Sequence, residues 1–204
     1  MGNQINCNQL KSDKPKVVAI GGGTGLSILL RGLKKYTNNI TAIVTVADDG
    51  GSSGVLREDL GMLAPGDIRS CLLSLANTEP TMEKLLQYRF DNGRLKNHSF
   101  GNLFLAAMVG ISGSFEKAIQ EASNVLAITG KVYPMTLDDV QLYAKLENGV
   151  IVQGESRIPE EVIKCGSRIE KIYMNPIISN PLDEAITAIN DADLIVLGPG
   201  CLYT

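Results

Sequence analysis

The chain has 204 residues, a formal net charge of −3 and a sequence pI of about 5.3. Its 44% hydrophobic content is enough to bury a core of ordinary domain size, while the acidic balance, with no run of Lys or Arg, argues against a nucleic-acid partner. No apolar run approaches the length of a membrane span, and residues 1–15 lack the apolar core of a signal peptide, so a cytoplasmic protein without membrane insertion is expected.

Residues 1–15 read as a flexible polar tail, and residues 16–204 as one α/β domain. The first apolar run, Lys16 to Ile20, stops in Gly21-Gly22-Gly23-Thr24-Gly25, after which Leu26, Leu29, Leu30 and Leu33 recur at helical spacing. The pattern is strand, glycine turn, helix. Glycines admit positive φ and let a ligand approach the backbone, and the helix beginning there aims its dipole and free N–H groups at the opening. The turn suits a phosphate. Its spacing is neither G-x-G-x-x-G, since Leu26 stands at the third glycine position, nor a Walker A loop, since no Gly-Lys-Ser/Thr follows.

Ile40 to Val46 is a β-branched run expected as a second, parallel strand beside the first. It ends in Asp48-Asp49-Gly50-Gly51-Ser52-Ser53-Gly54. An acid there is placed to meet a ribose hydroxyl; alternatively one carboxylate, Asp49 in particular, holds Mg²⁺ against phosphates; alternatively the segment is a solvated turn. Val55 to Gly61 reads as a short turn or lid. Asp67, in Ala64-Pro65-Gly66-Asp67, is positioned to cap the next helix through Ile68, Cys71, Leu72 and Leu75. A further helical piece follows Thr81.

His98-Ser99-Phe100-Gly101-Asn102 precedes a run, Leu103 to Val109, apolar on every side and therefore expected to be a buried helix. Ser99 or His98 caps it, or His98 and Asn102 contribute to an anion site at its N-terminus. Ser114 caps the next helix. Val132 to Met135 is a short extended piece. Val140 to Leu146 and Val150 to Val152, joined at Asn148-Gly149, form an antiparallel hairpin. A loop with a short helix after Pro159, a strand from Ile169 to Met174 and an amphipathic helix around Leu182 to Ile189 follow. The last run, Asp193 to Leu197, reads as a buried strand ending in Gly198-Pro199-Gly200, a second phosphate-type turn on the same edge as the first. A glycine turn whose helix has not begun by Thr204 is half an anion site, so the natural protein is expected to continue. Cys7, Cys71, Cys165 and Cys201 lie far apart beside a single histidine, which points to reduced thiols and away from zinc or a disulfide framework.

Five segments in this order, Val18 to Ser27, Ala47 to Gly54, Leu63 to Arg69, His98 to Leu103 and Leu197 to Thr204, resemble the YvcK-like proteins, the bacterial gluconeogenesis factors, which are similar to the archaeal 2-phospho-L-lactate transferases of the CofD family. The resemblance implies a Rossmann-like α/β fold: a mostly parallel sheet with flanking helices and an antiparallel hairpin. It implies binding of a nucleotide-sugar such as a UDP-sugar, or of NADP, and a role in cell shape and cell-wall synthesis on gluconeogenic carbon sources, with cell-wall synthesis proteins or a second copy of the chain as partners. The archaeal relatives transfer a phospholactyl group with Mg²⁺. Carried over by position, Gly21, Gly22, Gly23, Thr24 and Gly25 would line a phosphate site; Asp48 and Asp49 match acids beside acceptor and metal; His98 and Asn102 match the polar helix start; Gly198 and Gly200 match the second loop. Cys201 stands where the family has serine, which removes a hydroxyl contact.

Three functions are open at this point: a nucleotide-sugar-binding regulator, a transferase of the phospholactate type, and an NAD(P) protein. No nucleophile–base pair or metal-ligand cluster stands out, and the motifs favour the regulator.

Overall fold

The chain runs β1 (Val17–Gly21), α1 (Gly23–Leu33), β2 (Ile40–Val44), α2 (Gly51–Leu60), α3 (Gly66–Leu75), α4 (Pro80–Gln87), α5 (Phe100–Ser112), α6 (Phe115–Val125), β3 (Lys131–Pro134), β4 (Gln141–Leu146), β5 (Ile151–Gln153), α7 (Ile158–Cys165), β6 (Ile169–Asn175), α8 (Asp183–Asn190) and β7 (Leu194–Leu197). The computed structural model describes residues 14–200. The expected tail up to residue 13, together with Cys201 and the residues after it, lies outside the described residues.

Four strands form a parallel sheet in the order β3-β2-β1-β7, with Val17 opposite both Ile40 and Leu194. Parallel strands need crossovers, and helices supply them on both faces. On one face Ala19, Ala42, Val44 and Val132 pack under α1, α3, α5 and α6 through Leu26, Leu30, Ile68, Leu72, Leu105 and Ile119. On the other face Val18 and Ile43 meet Leu182 and Ala185 at the start of α8. Chain order reverses between β1 and β7, which are neighbours. Ligands in doubly wound sheets collect outside the carboxyl ends of strands at such a switch point.

A second, antiparallel sheet has the order β5-β4-β6 and packs α7 through Ala144, Leu146, Val152 and Ile158. The expected hairpin is present with β6 added to its free edge. Contacts from α2 and the loop before it reach this unit and the segment leading into it. The Asp49 carboxylate accepts the Ser156 N–H at 2.8 Å. Arg57, its side chain only 8% exposed, donates through Nε to Asp139 at 2.8 Å and also bonds the Val140 carbonyl at 2.6 Å.

Three expectations need correcting. Val55 to Gly61 is no turn or lid: α2 runs to Leu60 and closes on Gly61 in the left-handed conformation, φ +62°. Gly and Ser at its start mask the helix, whose buried stripe is Ser52, Ser53, Leu56 and Arg57 rather than a row of leucines. Helix α5 is buried only at Gly101, Asn102 and Leu105, and Ile111 is exposed, because α5 lies over other helices and not in the centre of the sheet. Among the described residues β7 stands at the end of the sheet order, where Leu194, Ile195 and Leu197 are exposed rather than buried.

Because the Asp49 carboxylate joins the two sheets by one charge-assisted bond, Asp49→Ala is expected to cost about 1–2 kcal/mol and to lower the thermal midpoint by about 3–6 °C. Calorimetric melting of the variant checks this, and an unchanged midpoint would mean the contact holds nothing.

Candidate functional site

The glycine turn is built by the way three sheet-edge loops meet. Gly23, at the first position of α1, has φ +48°, a conformation side chains rarely adopt. A β-carbon on Gly22 would stand 2.7 Å from both Asp67 Oδ2 and Thr45 Oγ1. One on Gly25 would overlap the Pro199 carbonyl oxygen. Gly22 and Gly25 are therefore required by the protein's own packing: the turn nests between α3 on one side and the loop after β7 on the other. Backbone bonds hold the same junction, with the Thr45 N–H on the Gly21 carbonyl at 3.0 Å and the Gly198 N–H on the Ile20 carbonyl at 2.7 Å.

Above the turn lies a cleft of about 1100 Å³. Gly21 to Gly25, Asp48, Gly198 and Gly200 all line it, so the structure brings together both glycine loops and one of the paired acids. Its opposite wall is apolar, formed by Met135, Leu142, Met174, Ile177 and Ile178, the last two 80% and 85% exposed. A helix's leading amides have no carbonyl partner of their own, so the start of α1 presents donors to this space.

Asp49 does not line this cleft; its carboxylate is turned to Ser156. His98 and Asn102 do not line it either. His98 Nδ1 lies 3.3 Å from Ser52 Oγ, and the Asn102 side-chain amide reaches Ser53 Oγ at 3.5 Å, so both face α2. Ser99 is the cap of α5, accepting the Asn102 N–H at 3.2 Å.

Asp67 is the residue that local reasoning misplaced. Pro65 is the N-terminal boundary of α3, and no side chain caps it. Asp67 sits inside the first turn and accepts from Thr45 Oγ1 at 3.2 Å, with Oδ1 3.0 Å from where a Gly23 β-carbon would be. Burial raises its pKa to about 6, helped by Asp48 and opposed by Thr45, Gly23 and Arg69. Glu155, in the loop between β5 and α7, lines the same cleft and is pushed up to about 7, first by burial and then by Asp67, Asp48 and Asp49. Glu155 carried no local sequence signal, since it lies in a polar loop brought across the cleft by the second sheet.

Among the described residues, no three or more His, Cys, Asp or Glu side chains are grouped to hold a metal. Asp48 and Asp67 both line the cleft, with Asp48 acting on Asp67 through space; two carboxylates facing ligand phosphates are a donor set of the kind Mg²⁺ uses. Of the cysteines within the described residues, Cys71 is buried in the core with its thiol pKa raised by that burial, and Cys165 is half-buried; both are free.

Residues 17–204 match the family model described as "2-phospho-L-lactate transferase CofD". The chain is 69% identical over 190 residues to the "Putative gluconeogenesis factor" of Thermoanaerobacterium thermosulfurigenes, covering 93% of this chain and 59% of that one. It is 53% identical over 192 residues to the "Gluconeogenesis factor" of Bacillus subtilis, covering 94% and 59%. A crystal structure of a Bacillus halodurans protein superposes with a TM-score of 0.87 at 52% identity, over 94% of this chain and 60% of that one. The chain spans about half the length of the curated relatives it matches, 59% and 45% for the first two. No helix among the described residues is long and apolar enough to cross a membrane.

The carboxyl groups of Asp67 and Glu155 hold protons more tightly in the folded chain than in an unfolded one. The folded state therefore binds more protons between about pH 4 and 7, and the stability they contribute is full below that window and lost as pH rises through it. Asp67→Asn is expected to melt higher than the wild type at pH 8 and to show no advantage at pH 4. Melting curves across this range check the sign, and a variant less stable at pH 8 would contradict it.

Proposed function

This chain belongs to the CofD family, and from that premise we propose that its cleft binds the diphosphate of a nucleotide-sugar and that the protein acts as a gluconeogenesis factor, a ligand-responsive regulator. The observation that carries the reading is the arrangement of the cleft at the β1/β7 switch. Two glycine turns and the donor end of α1 lie at one end, and an apolar wall suited to a base or sugar face lies at the other. The cavity is large enough for a nucleotide-sized ligand.

Thr24 and Gly25 amides would meet one phosphate and the Gly198 to Gly200 backbone the other. Asp48 and Asp67 would hold Mg²⁺ where it is used, and the ion would supply neutralisation of diphosphate charge. The relatives' names carry the gluconeogenesis role to this chain as a proposal. The UDP-sugar ligand, the control of cell shape and cell-wall synthesis, the cytoplasmic location, and self-association or docking to cell-wall synthesis proteins belong to the same proposal, and NADP is the alternative ligand.

A second reading is a phospholactyl transferase, favoured by the description of the matching family model and by the acids around the glycine turn. Calorimetry with UDP-N-acetylglucosamine, NADP and a deazaflavin alcohol, with and without Mg²⁺, separates the readings. Saturable binding of the nucleotide-sugar is expected, and turnover of a phospholactyl donor would contradict a pure regulator. Gly23→Val is expected to abolish that binding, because a branched side chain at φ +48° and 3.0 Å from Asp67 Oδ1 distorts the turn. A folded Gly23→Val protein that binds normally would exclude the turn as the site.

A further inference from the structure

Resting on the reading that the glycine turn takes a diphosphate, we propose that Asp67 is a specificity-determining residue of this site: it makes the cleft select a diphosphate esterified at both ends over one that ends in a free terminal phosphate. The geometry carries this. The Asp67 carboxylate lies against Gly22 and Gly23, at the donor end of α1 where a phosphate would otherwise sit undisturbed, and the Thr45 hydroxyl bond holds it there.

The groups facing it make the local field negative. Asp48 comes from the loop after β2 and Glu155 from the loop after β5, both lining the cleft, while Asp49, in the same loop as Asp48, is turned to Ser156; Arg69, on α3, is the cation that acts on Asp67. Asp48, Asp67 and Glu155 line one cleft, so a further anion there is added to three carboxyl groups rather than to neutral walls. An esterified phosphate adds one negative charge, whereas a free terminal phosphate adds close to two above pH 7 because its second proton leaves near pH 6. One additional unit charge a few ångströms from a partly buried carboxylate is worth tenfold or more in affinity. A nucleotide-sugar or a dinucleotide meets the single-charge requirement at both phosphates, and a nucleoside diphosphate does not.

The test is calorimetry on the full-length protein at pH 8 in EDTA with UDP, its β-methyl ester and UDP-N-acetylglucosamine. The first two differ at the terminal phosphate by a methyl group and one charge, so sugar contacts do not enter their ratio. The wild type is expected to bind the methyl ester about tenfold or more tightly than UDP. In Asp67→Asn, and in Asp67→Ser as a second neutral variant, the ratio is expected to collapse towards unity through a gain in UDP affinity, with melting curves showing that the variants fold. Equal affinities for UDP and its methyl ester in the wild type would overturn the assignment, as would an unchanged ratio in a folded variant, while binding of the nucleotide-sugar would leave the cleft reading intact. Failure of the wild type to bind any of the three would remove the diphosphate reading itself and this inference with it.

Discussion

The close approach of the β1–α1 turn to Asp67 on one side and to Pro199 on the other is the constraint on which the site depends. Without side chains at Gly22 and Gly25, three loops from α1, α3 and β7 can share one sheet edge. The parallel register places Gly21 beside Val44 and Ile20 beside Leu197, so the loops leaving β1, β2 and β7 emerge at one level. The cleft follows from that alignment. A β-carbon at Gly22 or Gly25 would push one of the neighbouring loops away and open the junction before any ligand arrived.

That packing has an electrostatic consequence. The donor end of a helix is ordinarily a favourable place for an anion. Here a carboxylate of the protein already stands next to it, and two more line the space around it. A site of this kind is selective about charge: it accommodates phosphate whose charge is reduced by esterification or balanced by a cation, and it favours hydroxyl donors at its acidic rim. The apolar wall, to which Leu142 and Met174 of the antiparallel sheet contribute, completes a cavity with chemically distinct ends, the feature on which the proposed nucleotide-sugar reading rests.

Much of the scaffold was legible in the sequence, and the reasons are local. The β-branched runs at Val17 to Ile20 and Ile40 to Val44, the leucine spacing in α1 and Asn148-Gly149 in the hairpin are all signals that reside within a few residues. Both glycine turns and Asp48 came together in the cleft. What escaped notice depends on distance. Asp67 looks like a helix cap when read beside Pro65 and Gly66, and only the folded chain brings Gly23 and Thr45 against it. Glu155 sits in an unpatterned loop that the second sheet swings over the cleft. Asp49, His98 and Asn102 are polar residues next to turns and helix starts, and tertiary packing spends them on Ser156, Ser52 and Ser53. Helix α2 was hidden because its buried face offers a single leucine, Leu56, among serines and an arginine, which carry no apolar periodicity.

The most direct measurement of the central claim is a crystal structure of the full-length protein with a nucleotide-sugar bound. Diphosphate density is expected on the amides of Thr24 and Gly25 and on the backbone of Gly198 to Gly200, with the sugar or base along Met135 and Met174. Ligand density elsewhere, with both glycine turns empty, would contradict it.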